Sequence, residues 1–185
     1  MEVGYKKIFW GLIIASFNLK FGNITILPAF IGWIFVFEGL KNMKTKLDSK
    51  LMKKANLACI ILMAISIILE ITHILDYKVL PYSVIVFMPL ISAVVELVLF
   101  HTILESVVMK FTNLHQKDNV DKYIKRDRRY IIFQGLAIAL YLMVCLNIET
   151  KAIYIGTIIF IILRIYMIST IYSLKKENYE FTELA

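Results

Sequence analysis

Residues 55–75 read ANLACIILMAISIILEITHIL, and the run carries no charged side chain until Glu70. A soluble domain of this size has no core large enough to hide such a stretch, whereas a lipid bilayer accepts it as solvent. In hydrocarbon the backbone must satisfy its own hydrogen bonds, so a segment this rich in Ile, Leu and Met reads as a helix. Against a yardstick of about 20 residues per crossing, residues 80–109, 130–147 and 152–174 qualify as well. No alternation of polar and apolar positions suggests a β-barrel.

The composition agrees with these segments. Of the 185 residues 59% are hydrophobic and only 19% charged, and the mean hydropathy is +0.74, far from the balance of a soluble domain. The net charge of +7 does not point to nucleic acid, because the basic residues are confined between the apolar runs and are not interleaved with stacking aromatics. They fall instead in two stretches, 41–54 (Lys41, Lys44, Lys46, Lys50, Lys53, Lys54 against Asp48) and 110–129 (Lys110, Lys117, Lys122, Lys125, Arg126, Arg128, Arg129). The positive-inside rule makes both cytoplasmic loops and places the C-terminal tail, 175–185, on the same side of the cell membrane. The short connections 76–79 and 148–151 then face outward. Tyr77, Tyr82 and Tyr154 fall at the outer interface and Tyr130 and Tyr172 at the inner one, as an aromatic belt requires. Cys59 and Cys145 come out at opposite faces, too far apart for a disulfide.

The first forty residues are less regular. Apolar 8–17 is interrupted by Asn18, Lys20, Gly22 and Asn23 before a second apolar run, 24–40, that contains Pro28 and Gly32. Proline and glycine at these points argue against one straight helix. Since Lys6, Lys7 and the basic stretch after Leu40 all prefer the cytoplasm, 8–40 is expected to be a broken helical hairpin whose turn enters the bilayer. The alternative is a single crossing there, with the N-terminus outside and five spans in all. The stretch KKIFWGLIIASFNLKFGNITILPAFIGWIFVFEGL, with its I-L-P-x-F-I-G-W core, resembles the N-terminus of small uncharacterised multi-pass membrane proteins of Gram-positive bacteria. Those carry an acid where this chain has Ala29 and Tyr where it has Trp33. The resemblance implies a membrane-helical fold and an origin, but no activity.

Charges at membrane depth usually face the interior of a bundle and pair. Glu96 and Arg164 both lie about 18 to 21 Å from the outer ends of their helices at 1.5 Å per residue, so they are expected to meet as an intramembrane ion pair or in a polar cavity. Glu70 and Lys20 are the further candidates for such a cavity, Lys20 because a lysine in a membrane hairpin needs water, headgroups or a carboxylate. Glu70 and His73 are spaced i, i+3 and His101 and Glu105 i, i+4, spacings used by metal sites on bundle helices. The two pairs fall at different depths, so no metal and no cofactor is expected.

No phosphate loop, H-E-x-x-H pair, C-x-x-C pair or G-x-S-x-G elbow appears in the chain. The expectation is therefore an all-α, multi-pass bundle that binds lipid or another membrane protein, with no catalytic residue assigned and a membrane enzyme ranked last. A small transporter or channel component with a polar cavity is the alternative. Residues 112–129 mix acids and bases as a helix does, and are the expected contact for anionic headgroups or a cytoplasmic partner.

Overall fold

The computed structural model of the protein describes residues 2–17, 19–21, 24–44, 47–74, 82–145 and 152–183. Among them the chain is all-α apart from one small ribbon: α1 (Glu2–Phe17), β1 (Leu19–Phe21), β2 (Ile24–Leu27), α2 (Ala29–Met43), α3 (Ser49–Ile74), α4 (Tyr82–Asn113), α5 (Lys117–Cys145) and α6 (Ala152–Glu183). Each helix packs on the next in sequence, and α6 closes back on α1, so the six form a ring. Its interior is filled by apolar side chains from every helix, including Ile8, Leu12, Val36, Leu62, Leu99, Ala137 and Met167.

Among the described residues three helices are long and apolar enough to cross a membrane, over Lys50–Thr72 in α3, Phe87–Asn113 in α4 and Ile158–Glu177 in α6. Their outward faces are apolar too, with Leu57, Ile60, Ile71, Ile91, Ile158, Ile161 and Ile165 exposed, an arrangement that water penalises. The fourth expected span, 130–147, is not among them. The first half of α5 is the charged run KDNVDKYIKRDRR, and its apolar part starts only at Tyr130. From there to Cys145 is about 24 Å of helix, short of the roughly 30 Å hydrocarbon layer. Leu146 and Asn147 lie outside the described residues, as do the expected outer loops 76–79 and 148–151.

Two stretches read as loop or tail are helical. Of 110–129, only Leu114, His115 and Gln116 lie between α4 and α5. The stop is a Schellman turn. His115 takes a positive φ of 59°, its amide donates to the Thr112 carbonyl at 3.0 Å, and the Gln116 amide reaches the Phe111 carbonyl at 3.0 Å. At the other end α6 continues past Leu174 to Glu183, because Glu177 is tied to α5 by an ion pair with Lys122 and a 2.8 Å hydrogen bond from Tyr123. The start of α3 is fixed by Asp48, whose Oδ1 accepts from the Lys50 and Leu51 amides at 2.8 and 2.9 Å, an N-cap that satisfies two otherwise orphaned donors.

At the N-terminus α1 and α2 run antiparallel, joined through the ribbon, in which Lys20 pairs with Thr25 and Phe21 with Ile24. Pro28 stands immediately before α2 in extended conformation, φ −63° and ψ 143°, where its missing amide costs nothing. Glycines let the two helices touch backbone to backbone. A Cβ on Gly11 would lie 2.6 Å from the Gly32 carbonyl oxygen, and one on Gly39 would lie 2.7 Å from the Gly4 carbonyl oxygen. Gly4 and Gly11 on one helix thus interlock with Gly39 and Gly32 on the other, each pair two turns apart. Small residues are the general means by which helices approach closely where no hydrophobic force drives them together. Lys7 and Glu38 close the same seam with an ion pair.

Gly135 supplies the control, since nothing lies within 4 Å of a Cβ placed there. Gly11→Ala should lower stability in detergent by about 1–3 kcal/mol through overpacking. Gly135→Ala should raise it by about 0.4–1 kcal/mol, because it restricts only the unfolded chain. Chemical unfolding followed by circular dichroism distinguishes the two, and equal effects would contradict the backbone contact.

Candidate functional site

Two polar side chains of the interior, Glu96 and Ser16, meet at Arg164 of α6. Its Nη2 is ion-paired with Glu96 Oε1 of α4, its Nη1 donates to Ser16 Oγ of α1 at 3.5 Å, and its Cζ stands 5.6 Å from the centre of the Trp33 ring of α2. One side chain therefore touches three other helices of the ring. Glu96 is only 5% exposed, and 27% of the Arg164 side chain is accessible. A planar guanidinium suits this position, since it can pair with a carboxylate in its plane and present a face to an indole. Trp33 is itself anchored: it is buried, and its carbonyl accepts the buried Cys59 thiol of α3 at 3.3 Å.

Around this junction the helix registers generate further polar contacts. One turn before Glu96, the Ala93 carbonyl accepts from Gln134 Nε2 of α5 at 3.0 Å. One turn after it, Phe100 packs edge-on against Tyr130, with centroids 5.6 Å apart and planes at 85°. Beyond that, His101 Nδ1 lies 2.8 Å from Asp127 Oδ2, and the Tyr166 hydroxyl donates to the Arg126 carbonyl at 3.3 Å. At the far end come Lys122, Tyr123 and Glu177, with Tyr123 stacked on Phe111. Burial first, and the Glu177 carboxylate second, push the Tyr123 phenol up, so it stays a donor to that carboxylate.

The four side chains singled out in the sequence fare differently. Glu96 and Arg164 come together. Glu70 sits near the C-terminal end of α3, half-buried, with no ion pair among the described residues. Of Lys20 only the backbone is described, in β1. The structure does not bring Glu70 to the Glu96–Arg164 pair. His101 turns to Asp127 on the neighbouring helix rather than to Glu105 on its own, while the His73 side chain lies outside the described residues.

Ser16, Trp33 and Asp127 are the members that sequence reasoning missed. Asp127 carried a faint signal as an acid inside the basic run KRDRR. Ser16 and Trp33 carried none, because a serine and a tryptophan in an apolar helix are ordinary residues until the fold places them. No protein-family model, curated protein or solved structure matches the chain.

Asp127 is pushed above the ordinary carboxylate value of 3.8, chiefly by burial. The hydrogen bond and charge of His101 oppose that shift, and the Glu105 carboxylate adds to it. A carboxyl whose pKa is raised on folding binds its proton more tightly in the folded chain. Its contribution is therefore most favourable at low pH and is lost as pH rises through the raised value. The stability difference between the wild type and Asp127→Asn should shift against the wild type as pH rises from about 4 toward neutrality. Parallel stability curves for the two proteins in detergent would contradict this.

Proposed function

We propose that this chain is a multi-pass protein of the cell membrane, cytoplasmic at its C-terminus, that acts by binding lipid or another membrane protein and performs no catalysis. The observation that carries this reading is the commitment of the deepest charge pair to contacts within the fold. The buried carboxylate Glu96 is satisfied by Arg164, and that arginine is in turn held by Ser16 and the Trp33 ring. A charge committed to fastening helices is not free to carry a substrate or a proton, which leaves the outer surface as the place of interaction.

The proposed topology has α3, α4, α5 and α6 as four spans, with α1, the ribbon and α2 as a hairpin entering from the cytoplasm. Its support is the clustering of charge at one end of the ring: Lys6 and Lys7 open α1, Lys41 and Lys44 close α2, Lys50, Lys53 and Lys54 open α3, and the Lys117-to-Arg129 run opens α5. In a variant lacking Cys59 and Cys145, a cysteine at Lys117 should be protected from an impermeant external reagent and one at Lys78 should be labelled. The reverse pattern would overturn the orientation.

The second reading, a small transporter, is favoured by the partial exposure of Arg164 and by the break in the N-terminal hairpin. Two measurements separate the readings. Glu96→Gln should strip the half-buried arginine of its partner and cost about 3 kcal/mol, at the low end for a buried pair, seen as a fall in melting temperature in detergent; an unchanged melting temperature would sink the fastening role. Transport instead predicts a pH-dependent ion flux in proteoliposomes that Arg164→Ala abolishes, and equal flux in both proteins would remove it.

A further inference from the structure

Between α5 and α6 the surface opens into a groove of about 180 Å³, walled by Phe133, Ile159, Ile162, Leu163 and Tyr166 and bordered by Arg129. It is polarised along its length. Its lining is apolar, while Arg129, one turn before Phe133 on α5, and the Tyr166 hydroxyl, bonded to the Arg126 carbonyl, mark the basic end of the helices beside it. Ile159 and Ile162 line the part that leads away from them. A slot of carbon ending in a cation matches the division of a phospholipid into chain and phosphate.

The charge around the mouth is not neutralised from within. Asp127 is engaged by His101 and Glu177 by Lys122 and Tyr123, whereas Arg129 and Arg128 are exposed and form no ion pair among the described residues. Lys125 is exposed one turn before Arg129. We propose that the groove holds one acyl chain of an anionic glycerophospholipid of the cytoplasmic leaflet, with its phosphate on Arg129. Arginine binds phosphate through paired N–H donors, and basic pockets between membrane helices on the cytoplasmic side are where anionic headgroups bind. A second copy of this chain is a poor occupant, because it would bring another protein of net charge +7 to a cationic mouth. The proposal rests on the lipid-binding reading and the orientation given above.

The full-length protein in a neutral detergent, titrated with phosphatidylglycerol and phosphatidylcholine of identical chains in competition, tests it by native mass spectrometry. One phosphatidylglycerol should be retained in preference. Arg129→Gln should weaken that preference about fivefold, the effect of one interfacial cation. Ile162→Trp, which fills the groove from an exposed position, should displace the lipid whatever its headgroup. Preference surviving both substitutions would overturn this site and leave lipid binding elsewhere standing. Equal retention of the two lipids by the wild type would overturn the phosphate site, and retention of neither would overturn lipid binding as well. A dimer that retains no lipid and dissociates on Ile162→Trp would assign the groove to a second copy and also overturn the proposal.

Discussion

A guanidinium placed halfway along an apolar helix has to find its counter-charge inside the fold, and the pairing of Arg164 with Glu96 is the contact to which the rest of the ring is adjusted. The pair couples α6 to α4, which are not neighbours in sequence. Ser16 and Trp33 bring α1 and α2 to the same point, and the Trp33 carbonyl extends the link to α3 through Cys59. A buried ion pair adds little net stability over well-packed apolar residues, but leaving either charge alone is expensive. Its consequence is therefore register: with α4 and α6 held at this level, the contacts of Ala93 with Gln134, His101 with Asp127 and Lys122 with Glu177 fall at successive levels along α5.

Helix length then divides the molecule. At 1.5 Å per residue α4 and α6 are each about 48 Å long, well beyond the roughly 30 Å of hydrocarbon. In the proposed topology the excess lies on the basic side. There the ends of α4, α5 and α6 are joined by the Phe111–Tyr123 stack and by the Lys122–Glu177 pair, contacts suited to water and headgroups rather than to lipid tails. The N-terminal hairpin solves a different problem. Its arms are shorter, α1 having 16 residues and α2 having 15, and close backbone contact at four glycines lets Ile8, Val36 and Met43 pack across the seam.

The sequence made some of this legible because the signals are local. Apolar runs such as 55–69 show themselves without any knowledge of neighbours, and so does the Pro28 boundary between ribbon and α2. The meeting of Glu96 and Arg164 followed from depth alone, since two opposite charges at one level in an apolar bundle have few other partners. The seven-residue spacing of Gly4 with Gly11 and of Gly32 with Gly39 was also present in the sequence, but a glycine in an apolar run reads equally well as a break, and only the antiparallel register shows that the two pairs interlock. The helix at 117–129 showed in the mix of acids and bases, whereas the one at 175–183 was hidden by its charge, which reads as a frayed tail until Glu177 is seen against Lys122 and Tyr123. Partners such as Asp127 for His101 depend on which helices are adjacent, and no spacing within one helix contains that information.

Glu96 and Arg164 act as one unit holding the ring in register. A double-mutant cycle measures this directly, with Glu96→Gln, Arg164→Gln and the combined variant unfolded in detergent under identical conditions. Coupling should appear as a double variant that loses less stability than the two single variants added together, because removing the second charge relieves the cost of leaving it unpaired. Losses that simply add would show that the two side chains are energetically independent, and would contradict the account.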